Sequence, residues 1–320
     1  MIENVVEIAL PVDETFRIRK NRIKNGNGEK RFSLVTGVHG DELEGQYCAY
    51  TLISFLKENL DKIDGIIDIY SGMNPLGIDS ILRGIPAFDL DMNRIFPGRD
   101  DGDMNEYIAK CIVDDITGSD LVMDIHASNI FLEEVPQIRI NEVSKERLIP
   151  WAKKANVDFI WVSPNATVLE STLAYSLNSR NTDTLVVEMG VGMRITKSYG
   201  DQLVSGIKYL LKEMGIFKGD VDTPRKAIIS DSPDKVIFLN APSSGIFINT
   251  AKHGALINEG DEIGRIVDPL TGEDKDIIVS SVSGWLFTLR EYPVVGQGSL
   301  MARILTVDEE ERKTIEEYGK

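Results

Sequence analysis

Three histidines occur in the chain, and two of them stand in comparable settings. His39 and Glu42 lie three apart in Gly37-Val-His-Gly-Asp-Glu-Leu-Glu-Gly45, a glycine-punctuated stretch that follows the apolar run Phe32, Leu34, Val35. His126 closes Asp120-Leu-Val-Met-Asp-Ile-His126, which reads as a buried strand. Two imidazoles and one carboxylate are a donor set for a hydrolytic zinc ion, with one coordination position left for water. Such an ion lowers the pKa of its water towards about 7 and polarises a carbonyl. Glu44 competes with Glu42 on residue type, and His39 with Glu42 taken alone also reads as a loop histidine beside a helix-start carboxylate.

Other residues add to this set. Glu188 ends Thr184-Leu-Val-Val-Glu188, the strongest strand pattern in the chain, and a carboxylate there must face a cleft or a partner charge. Asp124 shares a sheet face with His126 by strand alternation, either as a partner of the site or as a buried structural acid. From Asn74-Pro75 to about Asp103 the sequence has little periodicity and carries Arg83 and Asp89-Leu-Asp-Met-Asn-Arg-Ile-Phe-Pro-Gly98. Compact domains seldom keep loops that long without a function. Its amide and guanidinium groups suit a carboxylate or a developing oxyanion. Arg139 and Arg194 are either contacts for a second substrate carboxylate or ordinary surface pairs.

These residues need elements to hold them. Residues 4–36 read as extended, with Pro11 a break and Asn25-Gly26-Asn27-Gly28 a hairpin turn into a strand at 31–36. Apolar residues at helical spacing mark helices over 44–60, 107–116, 144–155, 172–178 and about 203–214, and strands are expected at 66–70, 120–126, 137–140, 159–162 and 184–190. This alternation indicates an α/β domain over residues 1–220 around a parallel or mixed sheet, whose sites gather at strand ends. Beyond Gly219–Pro224, short apolar runs separated by Gly, Asp and Asn read as a small all-β module over 221–320, with the last dozen residues a solvated tail.

The totals limit the partners. A net charge of −16 argues against nucleic acid and anionic membrane surfaces, which attract basic patches. The 42% hydrophobic content suits a globular protein. Cys48 and Cys111 read as small core residues. With no basic leader at Met1 and no apolar run of membrane-spanning length, a cytoplasmic location is the default. Homo-oligomerisation is left open.

The motifs Gly37–Gly45, Asn74-Pro75, Asp91-Met-Asn-Arg-Ile-Phe-Pro-Gly98, Asp124-Ile-His126 and Val187-Glu-Met-Gly190 resemble, in order, those of the succinylglutamate desuccinylase/aspartoacylase family, a branch of the zinc carboxypeptidase fold. The resemblance implies one zinc ion per chain on His39, Glu42 and His126, and its spacing favours Glu42 over Glu44. It implies Glu188 as general base towards the zinc-bound water, Arg83 assisting the carbonyl oxygen, and Asn93 and Arg94 on a substrate carboxylate. Asp-Met-Asn-Arg stands where Asp-Leu-Asn-Arg is usual. The C-terminal module resembles a biotinyl/lipoyl-type barrel sandwich, in Ala241–Phe247, Glu259–Gly264, Ser283-Gly-Trp285 and Gly296–Leu300. Lys275 there reads as a solvated hairpin lysine, His253 as a surface or interdomain residue, and Tyr292 as a residue that reaches towards the site.

The expected activity is hydrolysis of a small, carboxylate-bearing N-acyl amino acid or related N-acyl amine. The rivals are a zinc carboxypeptidase acting on a small peptide and a non-catalytic carrier modified at Lys275.

Overall fold

The apolar run ending at Val35 becomes a central strand. In the computed structural model, which describes residues 1–86, 88–164 and 170–318, β1 (Ile2–Ala9) and β2 (Thr15–Asn25) form an antiparallel hairpin. β3 (Arg31–Thr36) has five of its six residues buried and leads to α1 (Glu44–Glu58). β4 (Gly65–Tyr70) leads to the short α2 (Pro75–Ser80), where the Asn74 side chain accepts from Gly77 N and Pro75 occupies the first turn, as helix starts favour.

α3 (Met104–Ile116) opens with a reciprocal capping box between Asp103 and Glu106, a feature whose loss typically costs about 1 kcal/mol. After it come β5 (Leu121–Ser128), β6 (Leu132–Asn141), α4 (Lys145–Ala152), β7 (Phe159–Ser163), α5 (Leu173–Asn178), β8 (Thr184–Val191) and α6 (Lys197–Glu213). The expected helix at 203–214 thus begins earlier, and its stripe of Leu203, Ile207, Leu210 and Leu211 is buried.

Neighbouring strands run β1-β2-β4-β3-β5-β8-β6. β4, β3, β5 and β8 are mutually parallel, and the remaining pairings in this order are antiparallel. Apolar residues of α1 and α6 pack in one core on one side, and those of α3 and α5 pack in another. The expected hairpin at 25–28 does not form, because β4 lies between β2 and β3. β4 is buried along nearly its whole length, so it takes a partner on each edge. The 25–28 turn instead wraps Asp64, whose Oδ1 accepts from Asn27 N and Gly28 N.

The C-terminal strands are β9 (Ile228–Ser230), β10 (Val236–Asn240), β11 (Gly245–Asn249), β12 (Leu256–Ile257), β13 (Glu262–Asp268), β14 (Glu273–Val279), β15 (Gly284–Arg290), β16 (Val294–Val295) and β17 (Leu300–Leu305). They divide between two sheets. β14, β13, β11 and β16 form a separate four-stranded sheet, while β15, β17 and β10 extend the large one from β6. β15 is buried at all seven positions, as an interior strand must be. β6 therefore pairs β8 on one edge and both β15 and β7 on the other.

The expected solvated tail is instead α7 (Glu309–Tyr318). Ile315 is buried against Trp285 and Phe287, and Tyr318 Oη donates to the Lys226 and Asp158 carbonyls. Its Glu-rich composition hid that narrow inward face. Among the described residues no helix is long and apolar enough to cross a membrane.

Candidate metal centre and active site

The site forms at the carboxyl ends of the parallel strands, where open α/β sheets place their clefts. Beyond β3 the chain turns at Gly37, with φ 68°, and passes Gly40. A Cβ on Gly40 would come 2.1 Å from the carbonyl carbon of Gly77, so only glycine lets this loop pack on α2. The Gly40 N–H donates to Arg83 O at 3.1 Å, and Met193 N donates to Asp41 O at 2.7 Å. The loop carrying His39 and Glu42 is thereby tied to two other loops.

His39, Glu42 and His126 converge, with ligand atoms within 4.8 Å of one another and all three residues buried. Glu42 Oε1 is 2.7 Å from His39 Nδ1, and Glu42 Oε2 is 3.0 Å from His126 Nδ1. The two Nδ1 atoms face each other at 3.2 Å. Each ring is held from behind by a carboxylate: His39 Nε2 lies 3.1 Å from Asp91 Oδ1, and His126 Nε2 lies 3.1 Å from Asp124 Oδ2. Glu42 Oε2 also accepts from Ala127 N at 3.1 Å.

This arrangement fits a divalent cation. Histidines that ligate metals nearly always give their other nitrogen to a carboxylate, carbonyl or water, which fixes the ring. Arg83 pairs with Glu42 and Asp91, and Asp124 lies behind His126, so three carboxylates and one guanidinium leave two negative charges around two imidazoles. Burial works against a charged ring, yet the adjoining carboxylates raise both histidines above their ordinary pKa. Glu42 goes the opposite way: burial opposes its charge, but the imidazoles hold it well below the carboxylate range. Such a pocket draws in positive charge.

Glu44 is not part of this cluster. It is buried on the other side of the turn, where both carboxylate oxygens accept from Thr196 N at 2.9 Å. Arg83 Nη1 donates to Glu42 Oε1 at 2.8 Å, and its Nε lies 3.5 Å from Asp91. Asn93 Oδ1 accepts from Leu173 N at 2.9 Å, which leaves its amide N–H groups for the cavity that it lines. Arg94 is exposed, and Nη1 donates to the Asn93 carbonyl at 2.8 Å.

Glu188 stands on β8 directly opposite His126 of β5 and Gln137 of β6. Burial pushes its carboxyl up to about 7, opposed by Arg139 and reinforced by Glu134. Arg139 Nη1 lies 3.6 Å from Glu188 Oε1, while its Nη2 is 2.8 Å from both oxygens of Glu134. These groups line one cavity of about 1080 Å³ that runs from His39 and His126 to Leu148, Trp161, Tyr175 and Arg303. Small-molecule sites typically enclose about 300–1,000 Å³.

Several residues have other partners. Arg194 pairs with Glu291 at 2.6 Å, an ordinary surface contact. Tyr292 packs edge-on against Phe131, with centroids 5.6 Å apart. His253 bridges Tyr199 Oη and the Phe287 carbonyl between α6 and β15. Cys48 is buried and Cys111 half-buried, both as free thiols. Asp91, Glu134, Trp161 and Arg303 were not identified as site residues from the sequence. Asp91 lies within the quoted motif, but nothing in its spacing shows that it backs His39.

The succinylglutamate desuccinylase/aspartoacylase catalytic-domain model matches residues 29–214, more than half of the chain. The chain belongs to this family. An N-alpha-acetyl-L-2,4-diaminobutyric acid deacetylase from Halomonas elongata is 32% identical over 115 residues, which span 36% of this chain and 33% of that relative. Among solved structures, a succinylglutamate desuccinylase from Silicibacter sp. TM1040 superposes with a TM-score of 0.83 at 22% identity, covering 96% of this chain and 95% of the other. A product-bound ectoine utilization protein from Ruegeria pomeroyi gives 0.81 at 20% identity, with 96% and 95% covered. At those identities the likeness carries the fold, and the family assignment makes this chain a member of a family of amide-bond deacylases.

Proposed function

We propose that the protein is a zinc-dependent amidohydrolase that removes the acyl group from a small N-acyl amino acid or related N-acyl amine. The observation that carries this reading is the convergence of His39, Glu42 and His126 within 4.8 Å, with Asp91 and Asp124 behind the rings and Glu188 on the adjacent strand. One zinc ion per chain would be held by the Nδ1 atoms of His39 and His126 and the Glu42 carboxylate. When bound, it supplies a Lewis acid that acidifies a water and polarises the amide carbonyl.

The protein's own groups do the rest. Glu188 takes a proton from the attacking water and gives it to the departing nitrogen, and a carboxyl near pH 7 suits both duties. Arg83 exchanges its contact with Glu42 for the carbonyl oxygen as that atom gains charge. The Asn93 amide and the Arg94 guanidinium bind the carboxylate of the amino acid. Arg139 faces the remaining polar end of the substrate.

The carrier reading lacks support, since Lys275 lies within β14, away from the Pro269–Gly272 turn, and donates to Ser244 O at 2.8 Å. The test combines metal analysis with a substrate panel. Purified protein should hold about one zinc per chain, and His126→Ala should lose it; full occupancy in that variant removes His126 from the site. The loaded protein should release amino acids from acetyl or succinyl derivatives faster than it cleaves dipeptides. The reverse order makes it a carboxypeptidase.

A further inference from the structure

We infer that Arg303, carried by the C-terminal strand β17, is a positioning residue for Glu188, acting through Glu134 and Arg139. The inference rests on the role proposed above for Glu188. Four charged groups form an alternating chain. Arg303 Nη1 donates to Glu134 Oε1, Glu134 accepts from Arg139 Nη2 through both oxygens at 2.8 Å, and Arg139 Nη1 lies 3.6 Å from Glu188 Oε1. Among the described residues, Arg139 is the one cation within 4 Å of Glu188.

The sheet builds this chain. Gly190 of β8 pairs with Glu134 of β6, Glu134 with Thr288 of β15, and Thr288 with Arg303 of β17, so Glu134 and Arg303 share one row across the strands, while Glu188 stands two residues before Gly190 and opposite Gln137. Glu134 is fully buried. Both guanidiniums lie 5.7 Å from the Trp161 ring, and that of Arg303 lies 5.6 Å from Phe238. Aromatic faces of this kind hold a desolvated guanidinium in place. Arg303 Nε and Arg139 Nε are buried without hydrogen-bond partners, and Glu134 is the carboxylate that the two guanidiniums share.

Charge balance then assigns the task. With Arg303 present, one guanidinium neutralises Glu134 and the positive charge of Arg139 is available to Glu188. Without Arg303, Glu134 and Glu188 compete for Arg139. Glu134 already holds it through two short contacts and Glu188 through one long one, so Glu134 wins. Glu188 then loses the group that orients its carboxylate. A strand from the far end of the chain therefore governs the geometry of the proposed base without touching substrate.

A double-mutant cycle tests this. In the full-length zinc-loaded protein, Arg303→Met should lower kcat about tenfold or more while KM moves less than about threefold, a split that marks a group acting on the chemical step. Arg303→Lys should recover part of the loss. Glu134→Gln combined with Arg303→Met removes a charge of each sign, and should return kcat to within about threefold of the parent with zinc content unchanged. A double variant no better than Arg303→Met overturns the inference, as does an Arg303→Met enzyme with parental kcat.

A crystal structure of Arg303→Met gives an answer that needs no turnover. Arg139 should turn onto Glu134 and leave Glu188 beyond 4 Å, and an unmoved Arg139 overturns the inference. If the parent cleaves no N-acyl amino acid, the proposed function fails, and this structure still decides the role of Arg303.

Discussion

The strands β3 and β4 have a buried ionic cluster towards each end, and the two differ in charge balance. Near the amino-terminal end of β3, Asp68 accepts from Arg22 at 2.7 Å and from Arg31 Nε at 2.8 Å, with Lys20 3.7 Å away. Lys20 and Tyr70 Oη both bond Asp115, at 2.7 and 2.6 Å, and Glu3 lies 3.6 Å from Lys20 and Arg22. Three cations there meet three carboxylates. At the carboxyl end, three carboxylates around two imidazoles meet one guanidinium. A balanced cluster completes itself and acts as structure, whereas an unbalanced one needs a partner from outside.

Substitutions can break or sharpen that contrast. The largest effect should come at the unbalanced end, where Glu188→Gln should lower kcat by about 10²–10⁴, the usual range for a lost general base, while zinc content stays at the parental level. Parental turnover in this variant would remove the mechanism. At the balanced end, Asp68→Asn takes the shared carboxylate from Arg22 and Arg31 and should cost about 3–5 kcal/mol of unfolding free energy, read from urea titration. Its kcat should stay within about twofold of the parent, and a large fall in kcat with intact stability would erase the distinction between the two ends.

Glu44 gives a smaller effect, read through pH. Burial raises its carboxyl from the ordinary 4.5 to about 7, against the opposing hydrogen bonds from Thr196. Between those values the folded chain keeps a proton that the unfolded chain has lost, so this group makes stability fall as pH rises from about 4.5 to 7, by about 3 kcal/mol at most. Glu44→Gln should flatten that part of the stability profile. An identical slope in the variant assigns it to other groups. The smallest effect should come from Asp124→Asn, which keeps the contact to His126 but weakens the support for its ring. Zinc affinity measured by chelator competition should fall about 10–100-fold, and an unchanged affinity would make Asp124 a structural acid.

How much of this was readable beforehand depended on how each group is placed. His126 and Glu188 lie near the ends of strongly apolar strands and His39 and Glu42 in the loop that follows another, so periodicity singled them out and strand alternation put Asp124 on the face of His126. Choosing Glu42 over Glu44 needed the family spacing; in the structure the turn at Gly37 and Gly40 sends one carboxylate to the histidines and the other to Thr196. Asp91, Glu134 and Arg303 escaped notice because their partners lie on other strands or across a loop, and pairing register is a tertiary property. For the same reason Asn25–Gly28 suggested a hairpin that the insertion of β4 prevents. The C-terminal helix was missed because only Thr314 and Ile315 of its ten residues are buried, too few to give a stripe.

The forked pairing of β6 has a bearing on how the molecule is made. This strand joins β8 on one side and both β7 and β15 on the other, although β15 lies far along the chain. Closing such a distance is slow compared with forming local contacts. During synthesis, residues 29–214 emerge with every proposed metal ligand and Glu188 already in hand and with β7 present to pair Gln137–Asn141 of β6, yet Leu132, Glu133 and Glu134 on the same edge stay unpaired until β15 leaves the ribosome. Arg303 joins the cavity lining later still, and a protein interrupted before β15 would carry the metal-binding groups beside an uncovered stretch of strand edge, the kind of edge that pairs with other chains.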